Sequence, residues 1–230
     1  MECRISQIAH IRTDFKEKFG VPRQAGVVPE LKGKIVFEPE FRNADMLKGL
    51  EEFSHLWLIW EFSKHLDEEG HSRWTPTVRP PRLGGNERKG VFATRSPFRP
   101  NPLGLSVVKI EKITEEPGLG PVIYVLGADL VNNTPVFDIK PYIPYADSIP
   151  DAKGGFTDST EYKTLNVVWE KKDDMLPEEE RLSLEKILAN DPRPHYQNDP
   201  QRIYGMSFAG YEVKFRVDGD VVIIVDIINL

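Results

Sequence analysis

The 230-residue sequence has one cysteine, Cys3. That excludes an intrachain disulfide and any zinc site built on cysteine pairs. No stretch approaches the ~18 consecutive apolar residues of a membrane-spanning helix. The opening residues, MECRISQIAHIR, contain no signal-peptide-like apolar core. A cytoplasmic location with no membrane partner is the expectation. The common phosphate and metal signatures are missing too: no G-x-G-x-x-G after a strand, no G-x-x-x-x-G-K-[ST] and no H-E-x-x-H. Gly84-Gly85 lies among prolines and makes a poor phosphate cradle. The five histidines are scattered, and His55, beside an apolar run, reads as a satisfied core residue. These absences argue against a dinucleotide-binding fold, a P-loop NTPase and a metallohydrolase. No metal is expected.

Residues 90–104, GVFATRSPFRPNPLG, are the most informative run present. Pro97, Pro100 and Pro102 fix φ and remove backbone donors, and each biases the residue before it towards extended geometry. The run is expected to be a stiff extended loop, entered by a short strand ending at Ala93 and left by another at Leu105–Ile110. A proline-rich corner accounts for the prolines alone. It does not account for Arg95, Ser96, Arg99 and Asn101 set among them, which suit an anion.

Net charge is −6, which taken alone disfavours nucleic acid. Its distribution points the other way. Between Arg73 and Lys109 there are eight basic residues and one acid, Glu87, so this window carries +7 and the rest of the chain −13. Such asymmetry suits a phosphate-binding face on an acidic body. Six prolines in the window make it a shaped surface. Arg82, Arg88 and Lys89 are the expected phosphate contacts there.

The first part of the chain reads as short strands: Ile5–Ile11, Lys34–Phe37, Leu56–Phe62, Lys89–Ala93, Leu105–Ile110, Val122–Leu126 and Val136–Ile139. A helix is expected over Ala44–Glu52, capped by Asn43. Strands without long intervening helices point to a mainly β chain closed as an antiparallel or mixed barrel. Residues 146–162 are polar and Gly-bearing and read as a linker. Beyond them come an alternating strand around Leu165, Val167 and Trp169, a helix over Pro177–Ala189 with Glu178–Glu180 in its first turn, and strands at Ile203–Phe208, Tyr211–Val217 and Val221–Ile228. Asp218-Gly219 is expected to turn between the last two. This is a small α+β appendage.

Several segments together resemble one family. TVRPPRLGGN (77–86) and the run 90–104, with VPRQ (21–24), GLEEFSHLW (49–57) and DLVNNTPVFDIKPYIP (129–144), are similar to the TrmO (YaeB/TsaA-like) family of S-adenosylmethionine-dependent tRNA methyltransferases. DPRPHY (191–196) resembles a C-terminal feature of that family. The resemblance implies a β-barrel methyltransferase domain over 1–145, a linker over 146–162, and an α+β C-terminal domain over 163–230 that docks tRNA. It also implies a homodimer and N-methylation of the threonylcarbamoyl-modified adenosine beside the anticodon. All segments tied to the cofactor precede residue 145, so removing the appendage is expected to spare cofactor binding.

On its own, VPRQ is equally an exposed turn or a ligand loop. The resemblance places Pro22, Arg23 and Gln24 at S-adenosylmethionine. It carries the same role to Ser63 and Lys64, through backbone groups, and to Arg95, Leu105 and the turn Asp129, Leu130, Val131 and Asn132. In DIKPY, Asp138 and Lys140 share a strand face, with Tyr142 near them. A surface ion pair explains that pattern; the resemblance implies an active-site rim. Methyl transfer to nitrogen needs positioning and loss of a proton. Asp138 is the candidate to orient the site or take that proton, and Arg99 and Lys140 are the candidates for a substrate carboxylate. Two rivals remain on sequence grounds: a non-catalytic RNA-binding barrel, and a methyltransferase of a small metabolite.

Overall fold

The computed structural model describes all residues except 1–3, 84–86, 161–162, 171–174, 194–196 and 198. Cys3, Gly84-Gly85 and the PHY of DPRPHY lie outside that set. Six strands close into an antiparallel barrel in the order β1-β2-β7-β6-β3-β8. They are β1 (Ala9–Thr13), β2 (Lys32–Phe37), β3 (His55–Glu61), β6 (Leu103–Glu116), β7 (Gly120–Leu126) and β8 (Thr134–Pro141). Two short strands, β4 (Thr77–Val78) and β5 (Lys89–Gly90), form a separate ribbon.

Alternation sets the faces. Along β3, Leu56, Leu58 and Trp60 turn inward while His55, Trp57, Ile59 and Glu61 turn outward. The inward residues meet Ile11, Ile35, Val108, Ile123 and Val136, all buried. Each buried side chain of this size contributes about 1.5–3 kcal/mol by leaving water.

Several local expectations change. The first strand starts at Ala9 rather than Ile5. The Ala44–Glu52 helix is two 3-10 turns, Ala44–Leu47 and Leu50–Glu52. Gly49 between them has φ +85°, which breaks the helix. Asn43 still caps: its side chain accepts the Asp45 N–H at 3.0 Å. The strand expected over Lys89–Ala93 stops at Gly90, and Val91–Ala93 is a 3-10 turn. His55 is half-buried on the outer face, with Nδ1 2.9 Å from Ser54 Oγ, and not a core residue.

The C-terminal sheet has the order β10-β11-β12-β9, built from β9 (Asn166–Trp169), β10 (Tyr204–Phe208), β11 (Tyr211–Asp218) and β12 (Val221–Asn229). Strand β9 runs parallel to β12. Among the described residues two helices are α-helical: α1 (Pro144–Asp147) and α2 (Glu178–Ala189). Helix α2 buries Leu184, Ile187 and Leu188. The β11–β12 turn is Gly219-Asp220, one residue later than expected, with Gly219 at φ +56°.

The segment between β1 and β2, residues 14–31, leaves the barrel and packs into this second core. Phe15, Val28 and Leu31 are buried with Leu184, Met206, Phe208 and Phe215. Phe19 stacks on Tyr204 and Phe215, with ring centroids at 6.5 and 6.2 Å. A Cβ on Gly20 would overlap the Met206 side chain. Ion pairs add to the junction: Lys32 to Glu179 at 2.7 Å, and Lys186 to Glu30. The loop bearing VPRQ thus rests on the C-terminal sheet. A chain ending at residue 150 is expected to expose Phe15, Val28 and Leu31. Amide exchange over 14–31 should become fast while β3, β6 and β7 stay protected, as measured by mass spectrometry of exchange.

Candidate active site

A cleft of about 1810 Å³ opens at one rim of the barrel. Its walls are the loop after Val21, the end of β3 with the 3-10 turn Ser63–His65, the loop 75–81, the proline-rich loop, the start of β6 and the turn after β7. Of the residues singled out by sequence, it gathers Pro22, Arg23, Gln24, Ser63, Lys64, Arg95, Arg99, Leu105, Asp129, Leu130 and Val131. Segments more than a hundred residues apart in sequence therefore share one cavity.

The proline-rich loop is stiff for visible reasons. Arg99 Nη1 donates to the carbonyls of Thr94 and Ser96, both at 3.1 Å. Ser72 Oγ donates to the Arg99 carbonyl at 2.6 Å, and the Thr75 N–H donates to the Phe98 carbonyl at 3.1 Å. Arg99 is therefore a strut of the loop as well as part of the cleft wall. Arg95 Nη1 donates to Gln24 Oε1, joining the proline-rich loop to VPRQ. Arg23 Nη2 donates to the Arg193 carbonyl at 3.4 Å, joining VPRQ to the C-terminal part.

The floor is a hydrogen-bonded chain. Trp60 Nε1 donates to Ser106 Oγ at 3.0 Å, and Ser106 Oγ donates to Asp129 Oδ1 at 2.7 Å. The β3–β8 register shifts between Ile59 and Trp60, with Phe137 as the extra residue of a bulge in β8. The indole lies flat on Gly104, where a Cβ would overlap its six-membered ring. Burial pushes the Asp129 carboxyl above its ordinary value; the Ser106 bond, the Ala25 N–H and the Arg95 charge pull it back.

Four expected site residues fall elsewhere. Lys140 Nζ pairs with Asp138 Oδ2 at 2.9 Å on the outer face of β8, opposite Trp57 and Ile59. Tyr142 packs against the Trp57 ring at 6.0 Å. None of these three lines the cleft. The reason is a bulge: Trp60 pairs with Val136 and Ile59 with Asp138, so Phe137 is an extra residue in β8, and the inward face passes from Val136 to Ile139 while Asp138 and Lys140 turn outward. Asn132 is a brace, its Oδ1 accepting the Thr13 N–H at 3.1 Å. Among the expected phosphate contacts, Arg88 Nη1 donates to Thr77 Oγ1 at 2.7 Å and Lys89 pairs with Glu87 at 3.0 Å. The Arg82 side chain lies outside the description.

Sequence reasoning missed Lys18, Trp60 and Ser106, and it missed Gly154–Thr157, which sits in the expected linker yet lines the cleft. Ser106 had a signal in its parity: a serine at an inward position of β6 needs a polar partner. The 154–157 segment had none.

The cleft wall carries many cations and two carboxylates, Glu61 and Asp129. Among the described residues no cluster of three or more potential metal ligands occurs. No helix of the described residues is long and apolar enough to cross a membrane.

A closed β-barrel with a cationic, carboxylate-poor cleft fed by VPRQ, the proline-rich loop and the DLVN turn defines a barrel-type methyltransferase class rather than a doubly wound one. Residues 10–148 match the tRNA-methyltransferase O N-terminal domain family, and residues 161–230 match the TrmO C-terminal domain family. The chain belongs to the TrmO family. It is 43% identical over 224 residues to the tRNA (adenine(37)-N6)-methyltransferase of Escherichia coli (strain K12), covering 93% of each chain. It is 48% identical over 168 residues to the enzyme of that name from Eikenella corrodens, covering 72% of this chain and 92% of the relative. A crystal structure of TrmO from P. aeruginosa superposes with a TM-score of 0.79 at 33% identity, over 100% of this chain and 98% of that one.

Two predictions follow from the floor. Gly104→Ala should push the indole off Ser106 and lower stability by about 1–3 kcal/mol through overpacking, read as a lowered denaturant midpoint. The second concerns pH. Asp129 titrates above its ordinary value of 3.8 in the folded chain. Below the unfolded value it is protonated in both states and contributes nothing. As pH rises through the interval up to the folded value, the native state binds more protons, so stability falls. Asp129→Asn lacks this effect, so the wild type should lose stability relative to the variant as pH rises through that interval, measured by urea unfolding across a pH series.

Proposed function

We infer that the protein is an S-adenosylmethionine-dependent methyltransferase that modifies N6 of adenine 37 in tRNA. Its substrate base carries a threonylcarbamoyl group, the chain acts as a homodimer, and it works in the cytoplasm. The observation that carries this reading is the convergence of residues 22–24, 63–64, 95, 105 and 129–131 on one cleft. A non-catalytic RNA-binding barrel accounts for the cations but not for that convergence.

The donor set fits the cofactor. The cleft is large enough for a nucleoside with a methionyl tail. Its wall offers cations to a carboxylate, the Trp60–Phe62 ring pair, with centroids at 4.3 Å, to a base, and backbone groups at Ser63 and Lys64. When bound, the cofactor supplies a methyl group on a sulfonium.

The chain's own residues do the rest. Arg95 and Gln24, bonded to each other, lock the two loops that flank the donor, which favours near-attack geometry. Trp60 and Phe62 add an aromatic surface to the wall. As N6 gains the methyl group it sheds a proton. Asp129 and Glu61 are the wall carboxylates among the described residues, and burial raises the proton affinity of both; Asp129, beside Arg95 and the VPRQ loop, is our candidate to receive that proton. Asp138, paired on the outer face, is not placed for that role.

The test is mass spectrometry of anticodon-loop nucleosides after reaction of the purified protein with tRNA, alongside calorimetry with S-adenosylhomocysteine in the presence of a chelator. Binding without metal and a gain of one methyl on the modified adenosine are expected; no heat and no methylation would overturn the reading. Arg95→Ala removes a charge-assisted bond worth about 1.5–3 kcal/mol, so methyl transfer should fall roughly 10- to 100-fold with circular dichroism unchanged.

A further inference from the structure

In the cleft wall Lys18, from the 14–31 segment, lies beside Lys64 and His65 of the turn after β3, and Arg73, from the loop that follows, is near enough for its charge to act on Lys18 and His65. Lys18 Nζ donates to the Lys64 carbonyl at 2.6 Å, which holds its ammonium beside the second lysine. Lys18, Lys64 and His65 all line the cleft. No carboxylate forms an ion pair with Lys18, Lys64 or Arg73 among the described residues. Asp67 feels the Arg73 charge. Its Oδ1 already accepts the N–H groups of Glu69 and His71, at 3.0 and 2.7 Å, and its Oδ2 faces His71 Nδ1 at 3.7 Å.

Like charges held together need a reason. Burial and the charges of Lys64 and Arg73 depress the Lys18 amine below its ordinary value, and burial, Lys18 and Arg73 do the same to His65. The arrangement is unfavourable until an anion enters. Beside it the His65 ring meets Phe98 edge-on, with centroids at 5.1 Å, and the Phe62 ring at 6.2 Å. This gives an aromatic wall that ends in cations, which is the composition of a nucleotide subsite.

Resting on the tRNA-methyltransferase reading, we propose that Lys18, Lys64 and Arg73 form an oxyanion subsite for the tRNA substrate, filled by the carboxylate on the modified base or by a backbone phosphate. The residues first expected to hold a carboxylate are otherwise engaged, Lys140 with Asp138 and Arg99 with its own loop. The subsite uses the Lys64 side chain, whereas the cofactor reading uses the Lys64 backbone together with Arg95 and Gln24.

The test uses the full chain with Lys18→Gln and Arg73→Gln, singly and together; both side chains are exposed, so thermal melting should match the wild type. The double variant should bind tRNA at least about tenfold more weakly, with S-adenosylhomocysteine affinity by calorimetry unchanged, and Lys18→Arg should restore binding. Two arms separate the sources. A loss confined to threonylcarbamoyl-bearing tRNA identifies the carboxylate. A loss on both modified and unmodified tRNA, with the log K against log salt slope reduced by up to about 2, identifies a phosphate. Unchanged tRNA affinity overturns the proposal, and so does a tenfold loss of S-adenosylhomocysteine affinity, which would assign the cluster to the cofactor. A wild type that methylates no tRNA while still binding it through this cluster would overturn the function and leave the subsite standing.

Discussion

A carboxylate placed in a protein wall must find donors, because leaving it bare costs more than most single contacts return. Asp129 meets that demand with Ser106, the Ala25 N–H and the nearby charge of Arg95. Each donor belongs to a different piece of chain. Ser106 ties in β6 and, through Trp60, β3. Ala25 ties in the VPRQ loop, and Arg95 the proline-rich loop. The need to satisfy one buried group thus sets the relative positions of the segments that line the cleft. Gly104 is the steric half of the same constraint, since the indole reaches Ser106 only where no Cβ intervenes.

Charge follows a complementary logic. Among the described residues the acidic excess lies away from the cleft, whose wall has Glu61 and Asp129 as its carboxylates. Cations on the outer barrel are largely paired, as with Lys34 to Glu116 at 3.1 Å and Lys140 to Asp138 at 2.9 Å. At the cleft, Lys89 pairs with Glu87, while Lys18, Arg95 and Arg99 are bonded to neutral groups. A net-negative protein can in this way present a positive cavity to a polyanion.

The C-terminal sheet bears on the chemistry through packing. Residues 14–31 begin and end in the barrel but are buried against Met206, Phe208 and Phe215. VPRQ is therefore held from both sides, by Asp129 through Ala25 and by the Tyr204–Phe215 face through Phe19. The appendage holds the VPRQ loop through its core, which is why it is not a detachable handle.

The sequence by itself determined the elements whose signals are local. Alternation in LWLIWEF, the prolines of 90–104, the acidic first turn of α2 and the clustering of basic residues between 73 and 109 were all legible, and they led to a mainly β barrel with an α+β appendage and a binding face. The resemblance of VPRQ, the proline-rich run and DLVNNTP added the family. Only the tertiary structure decided which polar groups meet. Asp138 and Lys140 look like a site in one dimension, yet the bulge at Phe137 turns them to the outer face, where they pair with each other. Lys18 and the 154–157 segment look ordinary, yet both line the cleft, and Ser106 sits behind its wall, bonded to Trp60 and Asp129. Parity along a strand is written locally, but which face becomes a cavity depends on how distant strands close, and that is a property of the whole chain.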